Sequence, residues 1–127
     1  TSVVKGYLLP KTVDKNTLVV VISVSGNTQE SLTVLKNSKN SQAKFIAFSS
    51  GGMLKEYALK NKINYQEIKM EHSPRASFQK YIFSILKTLG SIIPVKKSEV
   101  VDAISKMEVM SQRISSNNLN ENNIVYE

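Results

Sequence analysis

Apolar residues recur along this chain in short runs whose spacing changes from one run to the next. Leu18 to Ile22, "LVVVI", is apolar at every position, the pattern of a strand covered on both faces in a parallel sheet. Val3 to Leu9 is a shorter strand candidate closed by Pro10, and Phe45 to Phe48, "FIAF", is another buried run. Ile63 to Met70 alternates and predicts a further strand. Between these runs the spacing turns helical. Gln29 to Leu35 sets Leu32 and Leu35 on one side, and Met53 to Leu59 does the same with Leu54, Tyr57 and Ala58. Strand and helix therefore alternate, as in an α/β parallel sheet with right-handed crossovers.

The later part of the chain has a longer period. From Ala76 to Ile93, Phe78, Tyr81, Ile82, Ile85, Leu86 and Leu89 predict one amphipathic helix, stopped by Pro94. A second helix is expected from Ser98 and Glu99 to Ile114. The asparagine-rich "SNNLNENN" after Ser115 reads as a linker, and "IVYE" restarts an apolar run. With Thr1 opening directly on a strand-like run, both ends read as cut, and the expected organisation is a domain over 1–114 followed by a linker over 115–127.

Composition narrows the chemistry. The length of 127 residues suits one domain with one core. There is no cysteine, which removes disulfides and thiolate chemistry, and the single histidine, His72, with scattered acids predicts no metal site. No apolar run reaches the ~20 residues of a membrane span, and no export signal opens the chain, so the expected location is cytoplasmic with no membrane partner. The formal charge is +7, but fifteen of the seventeen basic residues are lysines dispersed along the chain, and only Arg75 and Arg113 offer forked contacts. That distribution fits an anionic small-molecule ligand rather than nucleic acid.

One stretch carries a candidate site. "SVSGNTQESL", Ser23 to Leu32, turns from a buried strand to small hydrogen-bonding residues just before a helix. Ligands of parallel sheets sit beyond the carboxyl ends of strands. Three hydroxyls within six positions, Ser23, Ser25 and Thr28, are possible donors to an anionic oxygen at a helix start. Gly26 permits close approach or positive φ. An ordinary turn and N-cap is the competing reading, although a cap needs one hydroxyl and three are present. A Walker-type loop is excluded by the missing lysine and glycine spacing.

The same stretch resembles the S-x-S-G-[NE]-T-x-E-[ST] signature of SIS (sugar isomerase) domains. "SSGGMLKEYA", Ser49 to Ala58, and "SPRASF", Ser73 to Phe78, resemble two further motifs of archaeal-type bifunctional phosphoglucose/phosphomannose isomerases, in the same order and spacing. The resemblance implies a three-layer, flavodoxin-like or Rossmann-like parallel sheet over about Val3 to Ile114. It implies a cofactor-free aldose–ketose isomerase acting on hexose 6-phosphates through a cis-enediolate, working as a homodimer. Ser23, Ser25 and Thr28 would hold the phosphate, with Gly26 and Asn27 shaping the loop. Arg75 would stabilise the developing oxyanion. Ser50, Gly51 and Gly52 would line the sugar, a tight turn being the alternative. Glu30 reads as a helix-start carboxylate and His72 as an exposed loop residue.

Departures from that pattern are as informative. The family's first strand with its glycine–serine loop has no counterpart in Thr1 to Leu18, and a second SIS domain, which supplies the catalytic base, would begin where this chain stops. The expectation is a sheet of four strands with an open edge, and a half-site inactive by itself. A non-catalytic sugar-phosphate sensor is the alternative from another functional class.

Overall fold

The structure, a computed structural model, describes residues 2–118 together with Asn123 and Val125. The chain divides into two compact units, Thr1–Ile85 and Leu86–Glu127. In the first, three strands form a parallel sheet in the order β1 (Leu18–Ser23), β2 (Lys44–Ser49), β3 (Asn64–Glu67). Helix α1 (Gln29–Lys36) and a 3-10 turn (Asn37–Asn40) connect β1 to β2, and α2 (Gly52–Lys60) connects β2 to β3. The architecture is the α/β sheet that the alternation of apolar runs implies. Ser23 is level with Ser49 in the register, so the loops leaving β1 and β2 emerge side by side.

The period-two geometry of β1 and β2 divides the core. Val21, Phe45 and Ala47 face Leu32 and Leu35 of α1 and Leu54 and Ala58 of α2, all buried. On the opposite face Phe48 and Ile68 pack with Tyr81 of α3 (Phe78–Thr88), against partly buried Val20, Val24, Ile46 and Ile85. The first unit therefore has three layers: α1 and α2, the sheet, and the first part of α3. Tyr81 is 5% exposed, and its one hydroxyl proton is shared between the backbone carbonyls of Ile68 (3.2 Å) and Val24 (3.3 Å). Burial, and secondarily the field of Tyr65, raise its pKa above the ordinary 10.0.

Two expected strands are altered. Among the described residues the sheet has three strands rather than four, because Val3 to Leu9 forms no ladder. That segment bends at Gly6 (φ +135°) and leaves Val3 88% and Leu8 77% exposed; of its residues Leu9 packs on the core. Lys5 and Gly6 interrupt the apolar run, and a glycine at positive φ breaks extended backbone. The run from Ile63 to Met70 narrows to β3 because β2, its sole ladder partner, ends at Ser49, level with Glu67. Among the described residues both outer strands, β1 and β3, are open edges of the sheet.

The expected helix from Ala76 to Ile93 is shorter at both ends. Residues 74–77 form a turn in which Ser77 Oγ accepts from the Glu71 N–H (2.8 Å) and donates to the Ser73 carbonyl (2.8 Å). In the second unit the Leu89 carbonyl closes the helix by accepting from the amides of Ile92 and Ile93, both at 2.8 Å, ahead of Pro94. Helix α4 (Lys97–Arg113) follows, with Lys106 paired to Asp102 at 2.8 Å and no residue buried. Its apolar positions Val101, Ile104, Met107 and Met110 are all exposed. The expected apolar restart over 124–127 lies outside the described residues except for Val125. Among the described residues no helix is long and apolar enough to cross a membrane.

Leu54 is fully buried between α2 and the sheet. Leu54→Ala is expected to cost about 2–5 kcal/mol in urea unfolding. Tyr81 has a separate signature. A tyrosine whose folded pKa is raised binds its proton more tightly when folded, so its contribution is complete below the unfolded value and is lost as pH rises through the folded one. Stability should therefore fall as pH rises past 10.0, and Tyr81→Phe should reduce that alkaline fall.

Candidate functional site

The loops after β1 and β2 are interlocked by backbone. Gly26 has φ +73°, and a Cβ there would lie 1.8 Å from the Gly51 carbonyl oxygen. Gly52 has φ +68°, and a Cβ there would lie 2.6 Å from the Ser25 oxygen and 2.7 Å from Asn27 Oδ1. Only hydrogen fits at either point. The glycine pair expected to line a sugar, with a tight turn as the alternative, is therefore the surface against which the serine loop closes.

Hydrogen bonds fix the contact. Asn27 Oδ1 accepts from the Met53 N–H (3.0 Å), and the Gly26 carbonyl accepts from the Leu54 N–H (2.9 Å). These donors belong to the first turn of α2, whose own N-cap, Gly51, has no side chain to offer. Asn27 thus caps the helix after β2 from the loop after β1. Ser50 returns the connection, its N–H (2.9 Å) and Oγ (2.6 Å) both donating to the Val24 carbonyl. Ser49, fully buried, donates through Oγ to the Gly51 carbonyl (2.7 Å), and its own carbonyl accepts from Tyr65 OH (3.1 Å).

The three hydroxyls of the serine loop occupy different positions. Ser23 is 5% exposed and lies beneath the loop, with its Oγ accepting from the Gly26 N–H (3.1 Å) and lying 2.8 Å from Thr28 Oγ1. A buried hydroxyl proton needs an acceptor, and Thr28 Oγ1 is the one beside it. That direction leaves the Thr28 proton free to donate outward. Ser25 is exposed, and its Oγ accepts from the Asn27 N–H (3.2 Å), so its proton is also available. Thr28 stands at the N-cap of α1 but makes no side-chain cap bond, which leaves the first-turn amides of α1 without a side-chain acceptor. The first turn of α2 is occupied by the serine loop; the first turn of α1 is open.

Arg75 is exposed in the turn before α3 and forms no ion pair among the described residues. Its segment joins the serine loop through α3, by the Tyr81–Val24 bond. His72 is exposed, beside the ion pair of Glu71 with Lys80. Lys80, by hydrogen bond and charge, and His72 more weakly hold the Glu71 carboxyl below the ordinary 4.5. Glu30 lies in the first turn of α1. Among the described residues no three His, Cys, Asp or Glu side chains gather as a metal site. The apolar spacing places Tyr81 on a helix face, and nothing local to Tyr65 or Ser49 marks either as part of the site. A tyrosine 57 residues from the carbonyl it binds gives no local signal.

The fit of the two loops predicts a strong dependence on small residues. Gly26→Ala should lower the melting temperature by the equivalent of about 3 kcal/mol or more, because positive φ and overlap with backbone act together. Asn27→Ala should cost about 1 kcal/mol, the usual loss of a helix cap, with the largest amide shifts at Met53 and Leu54.

No protein-family model matches the chain. Two curated proteins do. The bifunctional phosphoglucose/phosphomannose isomerase of Caldicellulosiruptor bescii is 41% identical over 95 residues, covering 72% of this chain and 28% of that protein. The protein of the same name from Aquifex aeolicus is 36% identical over 103 residues, covering 81% and 31%. The chain spans about three tenths of the length of these relatives. Over most of its own length, then, this α/β chain is similar to bifunctional phosphoglucose/phosphomannose isomerases.

Proposed function

We propose that the chain is the phosphosugar-binding part of a cofactor-free aldose–ketose isomerase, an SIS domain over 1–114. Its parent would interconvert glucose 6-phosphate and mannose 6-phosphate with fructose 6-phosphate through a cis-enediolate, in the cytoplasm and as a homodimer. The observation that carries the reading is the arrangement at the end of β1. Ser25 and Thr28 each have a hydroxyl proton to donate; Thr28 stands at the open first turn of α1, and Ser25 lies exposed in the loop that leads into it. Hydroxyls, amides and the positive end of a helix together favour a phosphate without requiring a cation. The similarity to two isomerases whose names include phosphoglucose and phosphomannose supports the same ligand class.

Ser23 would act through Thr28, orienting its hydroxyl toward the phosphate rather than touching it. Asn27 and Gly26 would hold the loop shape, and Ser50, Gly51 and Gly52 would support it from the second strand. Arg75 would stabilise negative charge on the reacting oxygen in the complete enzyme. Isomerisation also requires a base within hydrogen-bond reach of C1 and C2. The groups hydrogen-bonded within the two loops are hydroxyls, an amide and backbone, so the base would come from elsewhere in the parent. This chain alone would be a half-site that binds the sugar phosphate at best weakly and does not turn it over.

Titration with fructose 6-phosphate and with free fructose, followed by amide shifts, tests the reading. Phosphate-dependent shifts over 23–30 are expected, with binding weaker by about tenfold or more in Ser25→Ala, in line with loss of one hydrogen bond to a charged group. Equal response to fructose and fructose 6-phosphate, or shifts elsewhere, would refute it.

A further inference from the structure

An anion site made of backbone needs its amides turned toward the ligand and its carbonyl oxygens turned away. In the serine loop the carbonyls are tied down in succession. Ser23 O accepts from the Gly26 N–H (3.2 Å), Gly26 O from the Leu54 N–H (2.9 Å), and Ser25 O faces Gly52. The carbonyl of Val24 is the most heavily held. It accepts from the Ser50 N–H (2.9 Å), Ser50 Oγ (2.6 Å) and Tyr81 OH (3.3 Å). Two donors come from the neighbouring strand end and the third from a helix on the other face of the sheet.

A trans peptide is planar, so its N–H points opposite to its C=O. Fixing the Val24 carbonyl against Ser50 and Tyr81 therefore fixes the Ser25 N–H to face away from them. Both Ser50 donors belong to one residue, so the peptide can tilt about that one attachment, and the Tyr81 hydroxyl at 3.3 Å is a third and longer contact to the same oxygen. Tyr81 supplies a second attachment from a different direction. Its single hydroxyl proton is shared between the Val24 carbonyl (3.3 Å) and the Ile68 carbonyl (3.2 Å), and its ring packs against Phe48 and Ile68.

We propose that Tyr81 is a positioning residue for anion recognition: through the Val24 carbonyl it sets the direction of the Ser25 amide and of the loop that ends at Thr28. The inference rests on the reading of this loop as the phosphate site. It extends that reading to a residue that the loop's own sequence does not contain. It also gives α3 a part in binding, since the helix that follows Arg75 holds the peptide of the serine loop.

The test compares Tyr81→Phe with Ile85→Ala in the full chain. Ile85 packs on the same cluster one turn further along α3 and has no bond to Val24. Two quantities are read: fructose 6-phosphate affinity against urea stability, and the Val24 carbonyl carbon and Ser25 amide nitrogen shifts in the free protein. A positioning role predicts that Tyr81→Phe weakens phosphate binding about three- to tenfold, the worth of one hydrogen bond. It also predicts that those two nuclei shift in Tyr81→Phe and not in Ile85→Ala. Ile85→Ala should lose more stability while keeping its affinity. Equal affinity in Tyr81→Phe and the unsubstituted chain, or an affinity loss that merely follows stability in both variants, would overturn the proposal. If the unsubstituted chain showed no phosphate-dependent shift, the site reading would fall. The free-protein shifts would then decide for Tyr81 alone: unchanged Val24 and Ser25 nuclei overturn its positioning role, and a change confined to Tyr81→Phe retains its control of that peptide.

Discussion

The contact of Gly26 with Gly51 is the constraint on which the candidate site depends. Two strand-end loops cannot approach to backbone distance unless both lack a side chain where they meet, and here the positive φ of Gly26 and Gly52 aims their missing Cβ positions at the opposing loop. Once the backbones touch, the polar groups have little choice. Asn27 reaches the first turn of α2, Ser50 reaches Val24, and Ser49 reaches Gly51. Each bond satisfies a group that close approach removes from water, so the loops stabilise one another or neither is ordered.

This arrangement divides labour between the two helices that start at this edge. The opening amides of α2 go to the serine loop itself, from Asn27 Oδ1 and the Gly26 carbonyl. Those of α1 receive no side-chain cap, although a threonine stands where one is expected. Thr28 turns instead to Ser23, the buried hydroxyl below it. An uncapped helix start that faces solvent leaves its amides to water or to an anion. The tyrosines complete the support, Tyr65 below the second loop and Tyr81 below the first.

The pattern of apolar residues was a sound guide where a segment is covered on both sides. "FIAF" became the well-covered β2, and Leu32, Leu35, Leu54 and Ala58 all turned inward, whereas "LVVVI" became β1 with Leu18 and Ile22 exposed, short of the cover on both faces that its pattern predicts. It was a poor guide where the partner matters more than the segment. Val3 to Leu9 is largely apolar and forms no strand: it bends at Gly6 and does not pair with the free edge of β1. The apolar positions of α4 follow a helical period and remain exposed. Periodicity states that a face exists, and it does not state what covers it.

By itself, the sequence determined the order of elements, the parallel sheet, and the concentration of Ser23, Ser25 and Thr28 at a strand end, because spacing and residue type act locally and survive any packing. Tertiary structure alone decided which hydroxyl is buried and which is presented. It decided that Asn27 caps a helix 26 positions away, and that Gly51 and Gly52 receive the other loop. It also joined Tyr81 to the carbonyl of Val24. Those outcomes follow from the register that sets Ser23 level with Ser49, a relation between two strands that neither segment encodes alone.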